Sequence, residues 1–216
     1  MKNNAKVLIT AFVILMPVFV GIFLWDRLPD KIAVHFDVNG NADEWWNKGL
    51  PIWGIPLFIL AAHIICLLMT SQDPNKKNIG DKIYNLVIWI CPVCSVICGI
   101  IIYSDALELS FPVFQIFQTV LGIGIMMVGN FIPKCRQNYT IGIRLPWTLN
   151  DNENWNCTHR FAGKVCIAGG LILVVNAFLN NWIIALAVIL LIAVIPAIYS
   201  FVQYRKSKNC KSNFKA

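Results

Sequence analysis

Polar and charged positions along the chain are bunched. Between the bunches lie six nearly unbroken apolar runs, at 7–25, 51–69, 83–103, 112–132, 161–179 and 182–202. Each holds about 19 to 21 residues, enough at 1.5 Å per residue to cross a hydrocarbon core of about 30 Å. In hydrocarbon every backbone N–H and C=O must find a partner within the chain, so these runs predict helices. The first run has no small-residue cleavage site after a short apolar core, and it reads as a retained helix. Trp25, Trp53 and Trp182 fall at span ends, where an amphipathic ring is favoured. Pro17, Pro56, Pro92 and Pro196 fall inside spans, where neighbouring helices repair the kinks. The expected fold is all-α: a polytopic membrane helix bundle of about six transmembrane helices forming one domain over 1–216. A small extracellular cap occupies the loop at 26–50 and a cytoplasmic interfacial segment occupies 133–160.

Composition sharpens this picture. The chain has 216 residues, 57% of them hydrophobic and 13% charged, and its mean hydropathy is +0.64. Soluble domains sit near half apolar and about a quarter charged. A compact soluble fold is excluded, and so is a disordered chain. The net charge of +7 is unevenly spread. With the N-terminus inside, 15 of the 18 Lys and Arg lie on the inner side and 3 on the outer, against 4 and 7 of the 11 acids. This bias places both termini in the cytoplasm. The tail Arg205-Lys206-Ser207-Lys208, with Lys211 and Lys215, suits anionic lipid and is a topology anchor, not a nucleic-acid binding arm.

Candidate chemistry is sparse. His63 is the one ionisable residue deep in a span, and it reads as a hydrogen-bonded interhelical residue. Coupled transporters carry intramembrane charges or broken helices at a midplane site. Cys91, Cys94 and Cys98 share roughly one helix face, but in hydrocarbon their thiols stay protonated and serve as small packing residues. No cysteine falls in the outer loop, so a reduced protein is expected. His35, Asp37, Asp43 and Glu44 match no tight ligand spacing, so neither a metal nor a cofactor is expected. Cys157 and His159 are two apart and point to different sides of a helix. No catalytic residue is assigned.

Two polar segments carry the remaining information. In the outer one, Leu28-Pro29 stops the first helix, residues 32–36 are β-prone, and Asn39-Gly40 is a turn signal. In the inner one, Pro133 and Pro146 bracket a piece that is not one regular helix, and Gly142 allows a turn or a close backbone approach. Thr148 or Asn150 is the expected N-cap, with Asp151 and Glu153 in the first turn. From about residue 150 the pattern is helical, with Trp155, His159 and Ala162 on one face, running into the fifth span or bending at Gly163. Arg136, Arg144 and Arg160 suit phosphate or carboxylate, and Trp147 and Trp155 are expected to anchor the segment at the membrane interface.

The run from Gly142 to Leu149, with Arg144, Pro146, Trp147 and Thr148, resembles the signature of the SdpI family. So do Trp155, Thr158, His159, Arg160, Gly163 and Lys164, and the preceding Gly129, Asn130, Pro133, Lys134 and Asn138. Leu145 stands where that signature has a threonine. Leu28, Pro29, Ile32, His35, Phe36 and Gly40 resemble a small domain of unknown function that often forms the N-terminal half of such proteins. The resemblance implies a bacterial cell-membrane protein giving immunity to a secreted peptide toxin. It also implies a second activity, the holding of a small DNA-binding repressor at the membrane. On this reading Asn138, Arg144, Trp147, Thr148, Trp155, His159 and Arg160 form a functional inner surface. The partners are a peptide toxin, a repressor and anionic lipid. A small peptide or solute permease and a membrane enzyme are the alternatives.

Overall fold

The protein is described from a computed structural model covering residues 2–37, 41–109 and 112–213. Among these residues, six helices are long and apolar enough to cross a membrane: Asn4–Phe23, Leu50–Ser71, Asp81–Ala106, Gln115–Lys134, Asn152–Leu179 and Trp182–Lys208. All six expected spans are present, and the chain is a multi-pass membrane protein. Its elements in order are α1 (Lys2–Phe23), β1 (Lys31–Phe36), β2 (Ala42–Asn47), α2 (Ile55–Ser71), α3 (Asp81–Ala106), α4 (Val113–Phe131), α5 (Pro146–Leu149), α6 (Asn152–Leu179) and α7 (Trp182–Asn213). A π-type turn, Leu50–Gly54, leads into α2.

The chain forms two compact units. The first comprises Met1–Met69 and Asn85–Phe117. Here β1 and β2 pair antiparallel, with Ile32 opposite Trp46 and Ala33 opposite Trp45. Leu28, Ile32, Ile52, Ile102 and Tyr103 form a buried cluster with Leu24 and Ile55 packed against it. The α1 carbonyls near Pro17 receive hydroxyl donors from α3: Ser95 Oγ donates to the Ile14 carbonyl at 2.7 Å and Tyr103 OH to the Pro17 carbonyl at 2.6 Å. In hydrocarbon such donors have few other partners, so these bonds fasten α1 to α3. His63 is buried, with Nε2 3.0 Å from Thr10 Oγ1. It bridges α1 and α2 as the interhelical residue the sequence suggested.

The second unit comprises Thr70–Tyr84 and Gln118–Ala216. Its helices α4 and α6 cross on small residues. A Cβ at Gly129 would come within 2.9 Å of the Gly163 carbonyl oxygen, and one at Gly122 within 2.7 Å of the Gly170 oxygen. Backbones this close exclude any side chain, which is how membrane helices gain packing when water gives no drive. The α6 helix runs unbroken through Gly163, so the interfacial helix and the fifth span are one element.

Candidate functional site

The inner segment is built around residues that leave helix geometry. After α4, a 3-10 turn, Ile132–Lys134, is built on Pro133, and the chain then extends at Cys135. Asn138 organises the next turn. Its Oδ1 accepts from Thr140 N–H at 2.9 Å and Ile141 N–H at 2.6 Å, while its Nδ2 donates to the Arg136 carbonyl at 2.8 Å. With 0% of its surface exposed, Asn138 supplies the local partners that strand or helix would otherwise give.

Gly142 follows with φ +119, a backbone region that side chains rarely enter. A Cβ there would run into His159 Nε2 and lie 3.1 Å from the Trp155 ring. The chain thereby presses flat against α6. Ile143 N–H donates to His159 Nε2 at 3.0 Å, and His159 Nδ1 lies 2.8 Å from the Trp155 carbonyl. An acceptor at Nε2 and a carbonyl at Nδ1 fix the neutral tautomer with its proton on Nδ1. The imidazole stacks on Trp155 at 4.0 Å between ring centroids, and Trp155 Nε1 donates to the Cys135 carbonyl at 2.8 Å. Cys135 is itself buried, and burial pushes its thiol above the ordinary range, away from the thiolate a nucleophile needs.

Thr148 closes the segment. Its hydroxyl accepts from Leu145 N–H at 2.9 Å and lies 2.8 Å from the Ile143 carbonyl, which locks the single turn α5. The cap expected at Thr148 or Asn150 falls elsewhere. Asp151 is the N-cap of α6, accepting from Glu153 N–H at 2.9 Å and Asn154 N–H at 3.1 Å. Thr148 is committed to α5 and Asn150 turns back to the Pro146 carbonyl, so neither side chain is available.

Two tethers had no signal in the local sequence. Asp73, 4% exposed, accepts from Asn75 N–H at 2.7 Å, Tyr139 N–H at 2.9 Å and Thr140 Oγ1 at 2.5 Å. It joins the 70–84 stretch to the Asn138 turn. On the other side, Asn154 Nδ2 donates to the Ser200 carbonyl at 3.0 Å, and Thr158 Oγ1 donates to Asn154 Oδ1 at 2.9 Å. Trp147 Nε1 donates to Ser200 Oγ at 2.5 Å, and the indole packs against Phe201 and Tyr204.

The candidate residues therefore divide. Asn138, Thr148, Trp155 and His159 have 0% exposure and form the interior of the segment. Trp155 is consequently not an interfacial anchor, because its ring is sandwiched under Gly142 and beside His159. Trp147 is half-buried and Pro146 exposed; both line an open cleft of about 400 Å³ with Asp151, Tyr204 and Lys208. A second cleft of about 510 Å³ holds Glu153, Cys157, Gln203 and Lys206. Arg144 and Arg160 are exposed; Arg144 donates to the Tyr139 carbonyl at 2.8 Å, and Arg160 to the Asn156 carbonyl at 3.3 Å and to Cys157 Sγ at 3.9 Å. Their guanidinium groups retain free N–H donors for a carboxylate or phosphate. Asn130 is exposed at the end of α4 and stands apart from this network.

In the outer motif, Leu28 is buried in the cluster beneath the hairpin, Pro29 is exposed and Phe36 is half-buried. His35 is exposed, with Nδ1 2.6 Å from Asp43 Oδ1. That hydrogen bond, with the charge of Asp43 behind it, raises the His35 pKa above its ordinary value. Lys48 secures the base of the hairpin by donating to the Trp25 and Leu28 carbonyls at 3.2 and 3.3 Å, with its ammonium 5.0 Å from the Trp25 ring centre. Gly40 and the turn expected at Asn39-Gly40 lie outside the described residues.

Residues 134–200 match the SdpI/YfhL protein family, and residues 12–60 match a domain of unknown function, DUF1648. Over 215 residues, the chain is 26% identical to the immunity protein SdpI of Bacillus subtilis (strain 168), covering 95% of this chain and 98% of that one. These matches establish the likeness to the SdpI family seen in the motifs. No solved structure matches.

Proposed function

Starting from this likeness, we propose that the chain is a non-enzymatic membrane immunity protein that protects its cell from a secreted antimicrobial peptide. The observation that carries the reading is the collinear match to an immunity protein along nearly the whole chain. The charge distribution supports an orientation with both termini in the cytoplasm, the hairpin outside and the Asn138–His159 segment inside. The outer hairpin meets the toxin, and the inner segment is the place where occupancy is reported. Buried Asn138, Gly142, Thr148, Trp155 and His159 hold the shape of that segment. Arg144 and Arg160 then offer charge to a carboxylate of a soluble repressor or to lipid phosphate, and Lys208 and Lys206, which line the two clefts, add to it. The chemistry supports this division, since the buried groups satisfy one another and the exposed cations do not.

The test is expression in a toxin-sensitive strain that lacks its own immunity gene, followed by challenge with a toxin-producing strain. Protection is the expected result, and killing at normal membrane levels of the protein overturns the reading. Arg144→Ala and Arg160→Ala should insert normally and abolish protection. Full protection by both would remove the inner cations from the mechanism.

A further inference from the structure

We propose that the open edge of β2 is a docking strand for an extended, positively charged peptide. The inference rests on the outward, toxin-facing placement of the hairpin and specifies how contact is made. Among the described residues the sheet has two strands, so β2 pairs along one side with β1 and turns the N–H and C=O groups of its other side to solvent. Such an edge is a template for another strand, and proteins commonly guard it with lysine, proline or a bulge. The sequence of β2, Ala-Asp-Glu-Trp-Trp-Asn, contains neither lysine nor proline. The pairing irregularities leave Val34 as the extra residue on β1 and Asp43 as the extra residue near the start of β2, so the regular open edge of β2 runs from Glu44 to Asn47.

The side chains along this edge specify the occupant. Asp43, Glu44, Trp45 and Trp46 are all exposed, Trp45 at 53%. Beyond the bulge at Asp43, strand periodicity places Glu44 and Trp46 on one face and Trp45 on the other. An added strand therefore meets an indole on each face and, at the start of the edge, the carboxylates of Asp43 and Glu44, which bond His35 and Trp46 Nε1 through one oxygen each and keep the other. The combination attracts ammonium or guanidinium groups by charge and by cation–π contact. Residues 37–44 carry three acids and no base, which extends the same field around the strand. A second copy of this chain fits poorly, because it would bring two sets of carboxylates into one small sheet. An anionic lipid headgroup is repelled for the same reason.

The test uses the full chain in phosphatidylcholine nanodiscs and a synthetic octapeptide of alternating lysine and valine, with affinity read by calorimetry. Saturable binding is expected. The same peptide with alternate backbone amides N-methylated keeps its charge but cannot complete a ladder, and its binding should fall by about tenfold or more, the equivalent of losing a small set of main-chain bonds. The D43K/E44K double variant should lose binding similarly, while D26K, outside the hairpin, should leave it nearly unchanged. Equal binding of the methylated and unmethylated peptides overturns the strand-edge proposal without relying on any variant. So does quenching of Trp45 and Trp46 by brominated lipid before peptide is added, which would place the strand among headgroups. In cells, a wild-type chain that protects beside a D43K/E44K variant that protects equally removes the docking edge and leaves the immunity reading standing. A wild-type chain that binds the peptide but gives no protection does the reverse.

Discussion

The outer hairpin buries Ile32 and Ala33 at its base and leaves every residue from Asp43 to Asn47 exposed. Over the segment from Cys135 to His159, by contrast, Cys135, Asn138, Thr148, Asn154, Trp155, Thr158 and His159 are all buried, and most of them are polar. Both are hydrophilic insertions between apolar helices, and both resemble loops in composition. What separates them is where the hydrogen bonds go. The hairpin satisfies its inner edges through β1–β2 pairing, so its backbone needs little from its side chains, which stay at the surface. The inner segment has almost no regular structure between Lys134 and Pro146, so Asn138, Asp73, Thr148 and His159 must serve its backbone with their side chains. Side chains spent in this way are committed to the fold, while Arg144 and Arg160 remain exposed.

This contrast can be broken most forcefully at Trp155. Trp155→Ala removes a fully buried ring and the donor to the Cys135 carbonyl, and should cost about 4 kcal/mol of stability. Thermal unfolding in detergent reads it, and the hairpin mutation Trp45→Ala, at an exposed site, should leave the same transition nearly in place. Gly142→Ala comes next. The strained φ and the collision with His159 should together cost about 3 kcal/mol, visible as a lowered midpoint and faster amide exchange at Ile143. A smaller loss, about 2 kcal/mol, is expected for Asp73→Ala, which strands the Tyr139 and Asn75 N–H groups. Protease cleavage confined to residues near 139–141 would report it, and unchanged cleavage would detach Asp73 from the segment.

The weakest effect belongs to the hairpin and depends on pH. The folded value of His35 is raised, so the His35–Asp43 bond contributes fully below the unfolded value of about 6.5 and is lost as pH rises through the raised value. Imidazole NMR should show an elevated titration midpoint that Asp43→Asn brings down. Global unfolding should not respond, because the pair is solvent-exposed.

The six spans were legible because hydrocarbon leaves an apolar run of this length one solution. The strand at 32–36 was legible from β-branched and aromatic residues, whereas β2 was not, since Asp43 and Glu44 mask the β preference of the two tryptophans that follow them. The face shared by Trp155, His159 and Ala162 followed from helical spacing, but its burial under Gly142 did not. Spacing identifies residues that lie together, not what covers them. The N-cap was misplaced by one to three positions because three capping residues stand close together and the turn at Ile143–Pro146 claims two of them. Asp73 was invisible for a related reason: its partners lie about 66 residues away, and only the folded chain brings them together.

Helix α6 carries no proline, unlike α1, α3 and α7, which contain Pro17, Pro92 and Pro196. Its 28 residues make a rod of about 42 Å at 1.5 Å per residue. Asp151 caps one end and Asn180, in a left-handed conformation, closes the other. A rod with no hinge has little give along its length. A tilt imposed where Asn180 ends it must reappear as a shift of Trp155 and His159, and the strand of chain clamped to that imidazole has to follow.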